Sequence, residues 1–353
     1  MSKMKFRHIP SFLILAGLLC ACSQDEPTDS AQSNVGQPLV LTVGFPTATR
    51  ATVDNYWDGG ETVYVQIMDN YDGNNADWTD VPILEYTVGA DGKRLNYESG
   101  EKLPVWGKDE TQKLIRAWYS GTVYIYNRDK KAYENFTVEA LTNPLQWNVA
   151  SNQNGDNSYY TGMNNYEGSD FVFAQTIATP NQREVPLTFY HQVAKVVLNV
   201  RHDFSDNITY RNAYIENTLA DIGNLSFTAP AYGEAYGTWT INQTSGYSYI
   251  IMKSIEPNTV SFDGKSMEKA EASYEALVIP KGPTLESEFW VYTSFNDTSF
   301  KYDINNSSSG WKAGHVYTYN LTLSLHGLQL SSSSESVGWD TTTGASDNGE
   351  VVL

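Results

Sequence analysis

Trp311-Lys-Ala-Gly-His-Val-Tyr-Thr-Tyr-Asn-Leu-Thr-Leu-Ser-Leu325 puts Trp311, Ala313, His315, Tyr317, Tyr319, Leu321, Leu323 and Leu325 on alternate positions. Successive side chains of an extended chain point to opposite faces, so the run predicts a long strand with one apolar face. The same period of two recurs at Leu39-Val-Leu-Thr-Val-Gly-Phe45, where Leu39, Leu41, Val43 and Phe45 share a face. Between these runs, strands are expected at Val63–Ile67, Ile83–Val88, Leu114–Trp118, Thr122–Tyr126, Phe171–Ile177, Ile208–Ile215, Tyr236–Ile241, Glu275–Ile279, Glu288–Ser294 and Thr298–Ile304. Loops rich in Asn, Asp and Gly separate them, and no long helical periodicity intervenes. Short strands spaced by turn signals predict an all-β chain of antiparallel β-sandwiches.

With 353 residues the chain can bury a substantial core and is expected to form two domains. Ala178 to Pro186 is a Pro-containing polar stretch, so the boundary is placed there, giving 39–180 and 181–330, with 331–353 as a tail or terminal strand. Just beyond, Leu187, Phe189 and His191 have one parity and Val196, Leu198 and Val200 the other, which requires a bulge or break. The 23 basic residues against 41 acidic ones give a formal charge of −18, which argues against nucleic acid or an anionic membrane surface as a partner.

Lys3, Lys5 and Arg7 precede an apolar Phe12–Leu19 segment that is shorter than the roughly 20 residues of a membrane span, which reads as a signal peptide over 1–21. The chain's two cysteines, Cys20 and Cys22, stand at its end, in a Leu-Cys-Ala-Cys run that resembles a bacterial lipobox. Cys22, preceded by the small Ala21, fits the acylated position better than Cys20, and an acyl chain such as palmitate would anchor it to a membrane. Residues 22–38 are polar and predict a disordered tether. The remaining chain has no disulfide, no thiolate nucleophile and no Cys-ligated zinc site.

The residues carry no catalytic constellation. His191 and His315 sit on apolar strand faces and read as hydrogen-bonded core residues, and the histidines form no two-His metal motif. Asp69 to Asp77 is acidic but lacks calcium-loop spacing and reads as a solvated turn. No nucleophile elbow, phosphate loop or dinucleotide fingerprint occurs, and no cofactor or metal is expected. Exposed Trp and Tyr could stack on sugars, which keeps a glycan-binding surface as a second reading beside core packing.

In order along the chain, Glu167-Gly-Ser-Asp-Phe-Val-Phe-Ala174, Val185-Pro-Leu-Thr-Phe-Tyr-His-Gln-Val-Ala-Lys-Val-Val-Leu-Asn-Val200, Ala276-Leu-Val-Ile-Pro280 and Trp311 to Leu323 resemble the signatures of the fimbrillin family. These are the type V pilins and related surface lipoproteins of Bacteroidota. Trp57-Asp-Gly-Gly60 and the Arg50-Ala51 pair extend the resemblance, and Ser23-Gln-Asp-Glu26 looks like that phylum's surface-sorting signal. The resemblance implies two tandem transthyretin-like β-sandwiches, no enzymatic activity, and export as a lipoprotein to the surface of the outer membrane. It further implies that an Arg-specific surface protease cuts after Arg50, that Leu39–Phe45 is then a removable strand, and that a strand of another fimbrial subunit, or of another copy, replaces it. The product would be a fimbrium contributing to cell adhesion, with no adhesion ligand specified. Past Leu325 apolar residues are sparse, chiefly Leu328, Leu330 and Val351–Leu353, with no strongly alternating run, a departure from a donating stalk subunit. This leaves open a tip or accessory subunit, an anchor-like lipoprotein that is never cut, and a non-polymerising surface lipoprotein that binds glycan or protein.

Overall fold

A computed structural model describes residues 34–45, 57–74, 76–97, 103–121, 123–127, 132–136, 139–154, 166–216, 222–227, 236–240, 249–280, 288–304, 310–337 and 339. Cys20, Cys22, Arg50, Ala51 and Val351–Leu353 lie outside these residues. The described chain is all-β, arranged as sheets packed around two apolar cores.

The first core lies against a six-stranded antiparallel sheet in the order Tyr190–His191, Phe171–Ala178, Lys113–Ser120, Thr62–Met68, Ile83–Val88, Leu95–Tyr97. Val63, Val65, Ile115, Ala117, Val172 and Ala174 supply its inner face. The central Lys113–Ser120 strand is buried on both faces, because Trp118 joins Tyr64, Phe171 and Phe173 in the second core. Burial on both sides explains why Leu114, Ile115, Ala117 and Trp118 do not alternate with exposed polar residues, and the buried Arg116 is accommodated by donating from Nε to Gln66 Oε1 at 2.8 Å.

The second core is enclosed mainly by a five-stranded sheet, Lys253–Ile255, Ala272–Val278, Ala194–His202, His315–Ser324, Gly327–Val337, and a four-stranded sheet, Tyr249–Ile251, Tyr210–Glu216, Glu288–Thr293, Ser299–Asp303. A three-stranded sheet brings Leu145–Asn148 beside Ile222–Ser226 and adds Leu145, Trp147 and Leu225 to this core.

The strand pairing and the ends of the described chain differ in detail from the sequence reading. The pairing is not antiparallel throughout: Val40–Gly44 runs parallel to Glu184–Thr188, and Ala194–His202 parallel to His315–Ser324. Parallel neighbours need long crossovers, which the intervening strands provide. At the expected boundary, Thr179 to Gln182 is a turn closed by Gln182 N–H donating to the Thr179 carbonyl at 3.0 Å, and Val185, Leu187 and Phe189 beyond it belong to the first core. The parity change appears as a break at Gln192–Val193, where the chain passes from one core to the other.

At the ends, residues 34–38 of the expected tether are held: Gly36 N–H donates to the Trp106 carbonyl at 2.8 Å, and Pro38 bridges Val105. The Ser-rich stretch past Leu330 continues a strand, Gly327–Val337, along the edge of the five-stranded sheet. Its signal is side-chain hydrogen bonding rather than apolar period: Ser332 Oγ donates to the Ser261 carbonyl at 2.8 Å and accepts from Asn320 Nδ2 at 2.9 Å, while Glu335 accepts from Tyr317 Oη at 3.1 Å and Lys312 Nζ at 3.2 Å. In the long run that led the sequence reading, the strand begins at His315, after a turn that buries Trp311, and Leu325 lies exposed beyond it.

The Trp57-Asp-Gly-Gly turn has a specific backbone requirement. Glu61 accepts hydrogen bonds from Asp58 N–H at 2.7 Å and Gly59 N–H at 2.9 Å, and Gly59 and Gly60 have φ of 92° and 100°. A Cβ on Gly59 would stand 2.8 Å from the Gly89 carbonyl oxygen, whereas one on Gly60 would meet nothing within 4 Å. Positive φ costs a side chain about 1–3 kcal/mol at either position. Gly59→Ala is therefore expected to lower the melting temperature further than Gly60→Ala, since only the first also displaces backbone, and equal melting shifts would contradict this account.

Candidate functional site

The expected removable strand occupies a built groove. Val40–Gly44 pairs on one side with Glu184–Thr188, matching Leu41 to Val185 and Val43 to Leu187. Its other side is also bonded: Leu39 N–H donates to the Pro104 carbonyl and Val43 N–H to the Lys93 carbonyl, both at 2.8 Å, and Thr42 bridges Arg94. At the downstream end Phe189 N–H donates to the Gly44 carbonyl at 2.8 Å. The segment thus pairs with one strand and is bonded on its other side to loop backbone.

Alternation turns Leu39, Leu41 and Val43 into the first core, with Leu41 fully buried. Phe45, half-buried, lies 5.7 Å from the Trp57 ring, 6.3 Å from Phe189 and 5.1 Å from His191, centroid to centroid. Burial of such side chains is worth roughly 1.5–3 kcal/mol each. On the solvent side, Arg94 Nη2 reaches Glu184 Oε1 at 2.7 Å, joining the two flanks between which the strand lies. Both groups are exposed, and a pair of this kind adds about 0–1 kcal/mol.

The groove's end is polar underneath. His191 is buried, and its Nδ1 lies 3.0 and 2.9 Å from the two carboxylate oxygens of the buried Asp170. The 3-10 turn Glu167–Ser169 presents Asp170, whose own N–H donates to the Glu167 carbonyl at 3.1 Å. Tyr119, edge-on to Trp57 at 5.4 Å, has its phenol pushed well above the usual range by burial and, in smaller part, by the carboxylates of Glu61, Asp170, Glu167 and Asp58. The aromatic wall therefore stays uncharged. Against the same imidazole lies Trp339, stacked at 3.7 Å and 8° from parallel, with Lys195 Nζ 4.7 Å from the indole.

Among the described residues no group of His, Cys, Asp and Glu is disposed to hold a metal ion. Around this segment the protein offers backbone hydrogen-bonding groups on both sides and apolar side chains beneath. Sequence reading had placed Leu39, Leu41, Val43 and Phe45 on one face, and the structure gathers all four over one core. It had not found Asp170 and Trp339, which meet His191 from distant parts of the chain with no spacing signal between them.

The fimbrillin-like family model matches residues 49–337. The chain belongs to the fimbrillin-like family. A protein of Bacteroides uniformis named as fimbrium subunit Fim1C is 21% identical over 354 residues, covering 99% of this chain and 100% of that one. Among solved structures, fimbrillin-like architecture recurs in a protein from Bacteroides uniformis described as a cell adhesion protein, at 16% identity and a TM-score of 0.54, covering 85% of this chain and 98% of that one. A protein from Bacteroides ovatus with the same description gives 12% identity and a TM-score of 0.55, covering 86% and 98%. At these identities the structural likeness establishes the fold.

Proposed function

We propose that this fimbrillin-like chain is a structural, non-catalytic subunit of a fimbrium that contributes to cell adhesion. It is exported as a lipoprotein, held at the outer-membrane surface through acylated Cys22, and opened by an Arg-specific surface protease that cuts after Arg50. The Leu39–Phe45 strand then leaves, and a strand from another fimbrial subunit or another copy fills the groove. The observation that carries this reading is the placement of the first strand: over the first core, with backbone partners on both sides, a few residues before Arg50, and joined to those partners by non-covalent contacts alone. Its departure would leave four apolar pockets and unpaired groups at Lys93, Pro104 and Phe189, which only another extended segment matches.

Mass spectrometry of surface material tests it. The expected result is a new N-terminus at Ala51 in high-mass polymers that resist dissociation. Recovery solely of acylated monomer beginning at Cys22 would overturn it. That outcome would favour a non-polymerising surface lipoprotein, for which one surface feature speaks: Tyr214 lies 5.1 Å from Tyr292 and 6.1 Å from Tyr249, and the outer two rings are exposed, a disposition suited to stacking on sugar rings of a glycan.

A further inference from the structure

His191 brings the segment around the first strand together with the residues just past Gly327–Val337. Phe45, one residue past the first strand Val40–Gly44, lies 5.1 Å from its ring at 22°, and Trp339, two residues past the C-terminal edge strand Gly327–Val337, lies 3.7 Å from the same ring at 8°. The imidazole between them is fixed by Asp170 at 2.9 Å, so it cannot turn to follow one neighbour without giving up that carboxylate. Trp339 is fully buried, yet its indole Nε1 has no hydrogen-bond partner among the described residues. An unmade hydrogen bond draws the indole toward water, so its seat depends on ring stacking and on Lys195 Nζ over its face.

We propose that the Phe45–His191–Trp339 stack makes retention of the C-terminal edge strand conditional on an aromatic ring at the end of whatever strand fills the first groove. The inference rests on the groove reading given above and specifies the partner. When the first strand leaves, water reaches the Phe45 side of His191, the imidazole loses its apolar backing, and the indole gains a hydrogen bond by swinging out. The end of Gly327–Val337 then loosens. An incoming strand with three alternating aliphatic residues followed by an aromatic one restores the stack, whereas a strand lacking the ring fills the groove and leaves the far end loose. Glu335 and Ser332 still pin the body of the edge strand, so the effect is confined to its terminal part.

The test uses the full, uncut chain, so its outcome is independent of whether the Arg50 bond is cleaved. Hydrogen exchange is followed by mass spectrometry in peptides covering 184–188 and 327–337. Phe45→Ala is expected to speed exchange at the end of 327–337 by about two- to tenfold, the range that one aromatic stack supports. Trp339→Ala should do the same, the double variant no more than either alone, and Phe45→Tyr should restore the wild-type pattern. Leu41→Ala, which weakens the strand without touching the stack, should speed exchange in 184–188 only. Unchanged exchange in 327–337 for Phe45→Ala, or equal loosening by Leu41→Ala, overturns the proposal.

Discussion

Arg50→Ala is expected to reduce fimbrial assembly to background while leaving a folded, acylated monomer at the cell surface. The intact first strand is part of the same chain as its groove, so its effective concentration there exceeds that of any strand arriving from solution. Displacing it also means giving up three buried apolar side chains, at roughly 1.5–3 kcal/mol each, and the half-buried Phe45, together with hydrogen bonds at Lys93, Pro104 and Phe189 before the newcomer forms its own. Without the cut, exchange is uphill at every early step. Arg50→Lys separates the identity of the bond from its accessibility: an Arg-specific protease leaves this variant uncut as well. Polymer formation by Arg50→Ala at the wild-type rate would sink the proposal.

The second large effect runs the other way. Leu41 is fully buried at the middle of the first strand, opposite Val185, and Leu41→Asp places a carboxylate in that pocket. A buried charge without a partner costs several kcal/mol, comparable to everything one or two of the strand's apolar residues contribute. The strand should therefore leave its groove while still attached, exposing Glu184–Thr188. Uncut Leu41→Asp subunits are expected to bind a synthetic Leu-Val-Leu-Thr-Val-Gly-Phe peptide that wild-type subunits exclude, measured by fluorescence anisotropy of the labelled peptide. Combining the two changes discriminates the mechanism: if occupancy of the groove controls assembly, the Arg50→Ala, Leu41→Asp double variant regains peptide binding. Exclusion of the peptide by both variants would show that the groove stays closed for another reason.

How much of this was legible varies by element. The face of Leu39–Phe45 could be read because alternation is a local property, and the buried histidine reading of His191 followed from its place among Leu187 and Phe189. The Ser-rich Gly327–Val337 strand could not, because it is an edge strand held through Asn320, Thr322, Ser261 and backbone pairing instead of an apolar stripe. The Ala178–Pro186 stretch shows a related limit: Pro and polar residues mark a turn, as at Thr179 to Gln182, equally well within a domain and between domains.

By itself the sequence determined that the chain is all-β and which side chains of the first strand face inward, since the period-two geometry of an extended backbone binds neighbours two residues apart. It also presented Arg50 and Cys22 as candidate positions for release and anchorage. Only the tertiary structure decided that Val40–Gly44 lies parallel to Glu184–Thr188, that His191 meets Asp170, and that Phe45 and Trp339 share one imidazole. The physical reason is that closing a longer loop adds little entropic cost, so distance along the chain scarcely limits which segments pair, and the choice falls to packing complementarity summed over the whole core.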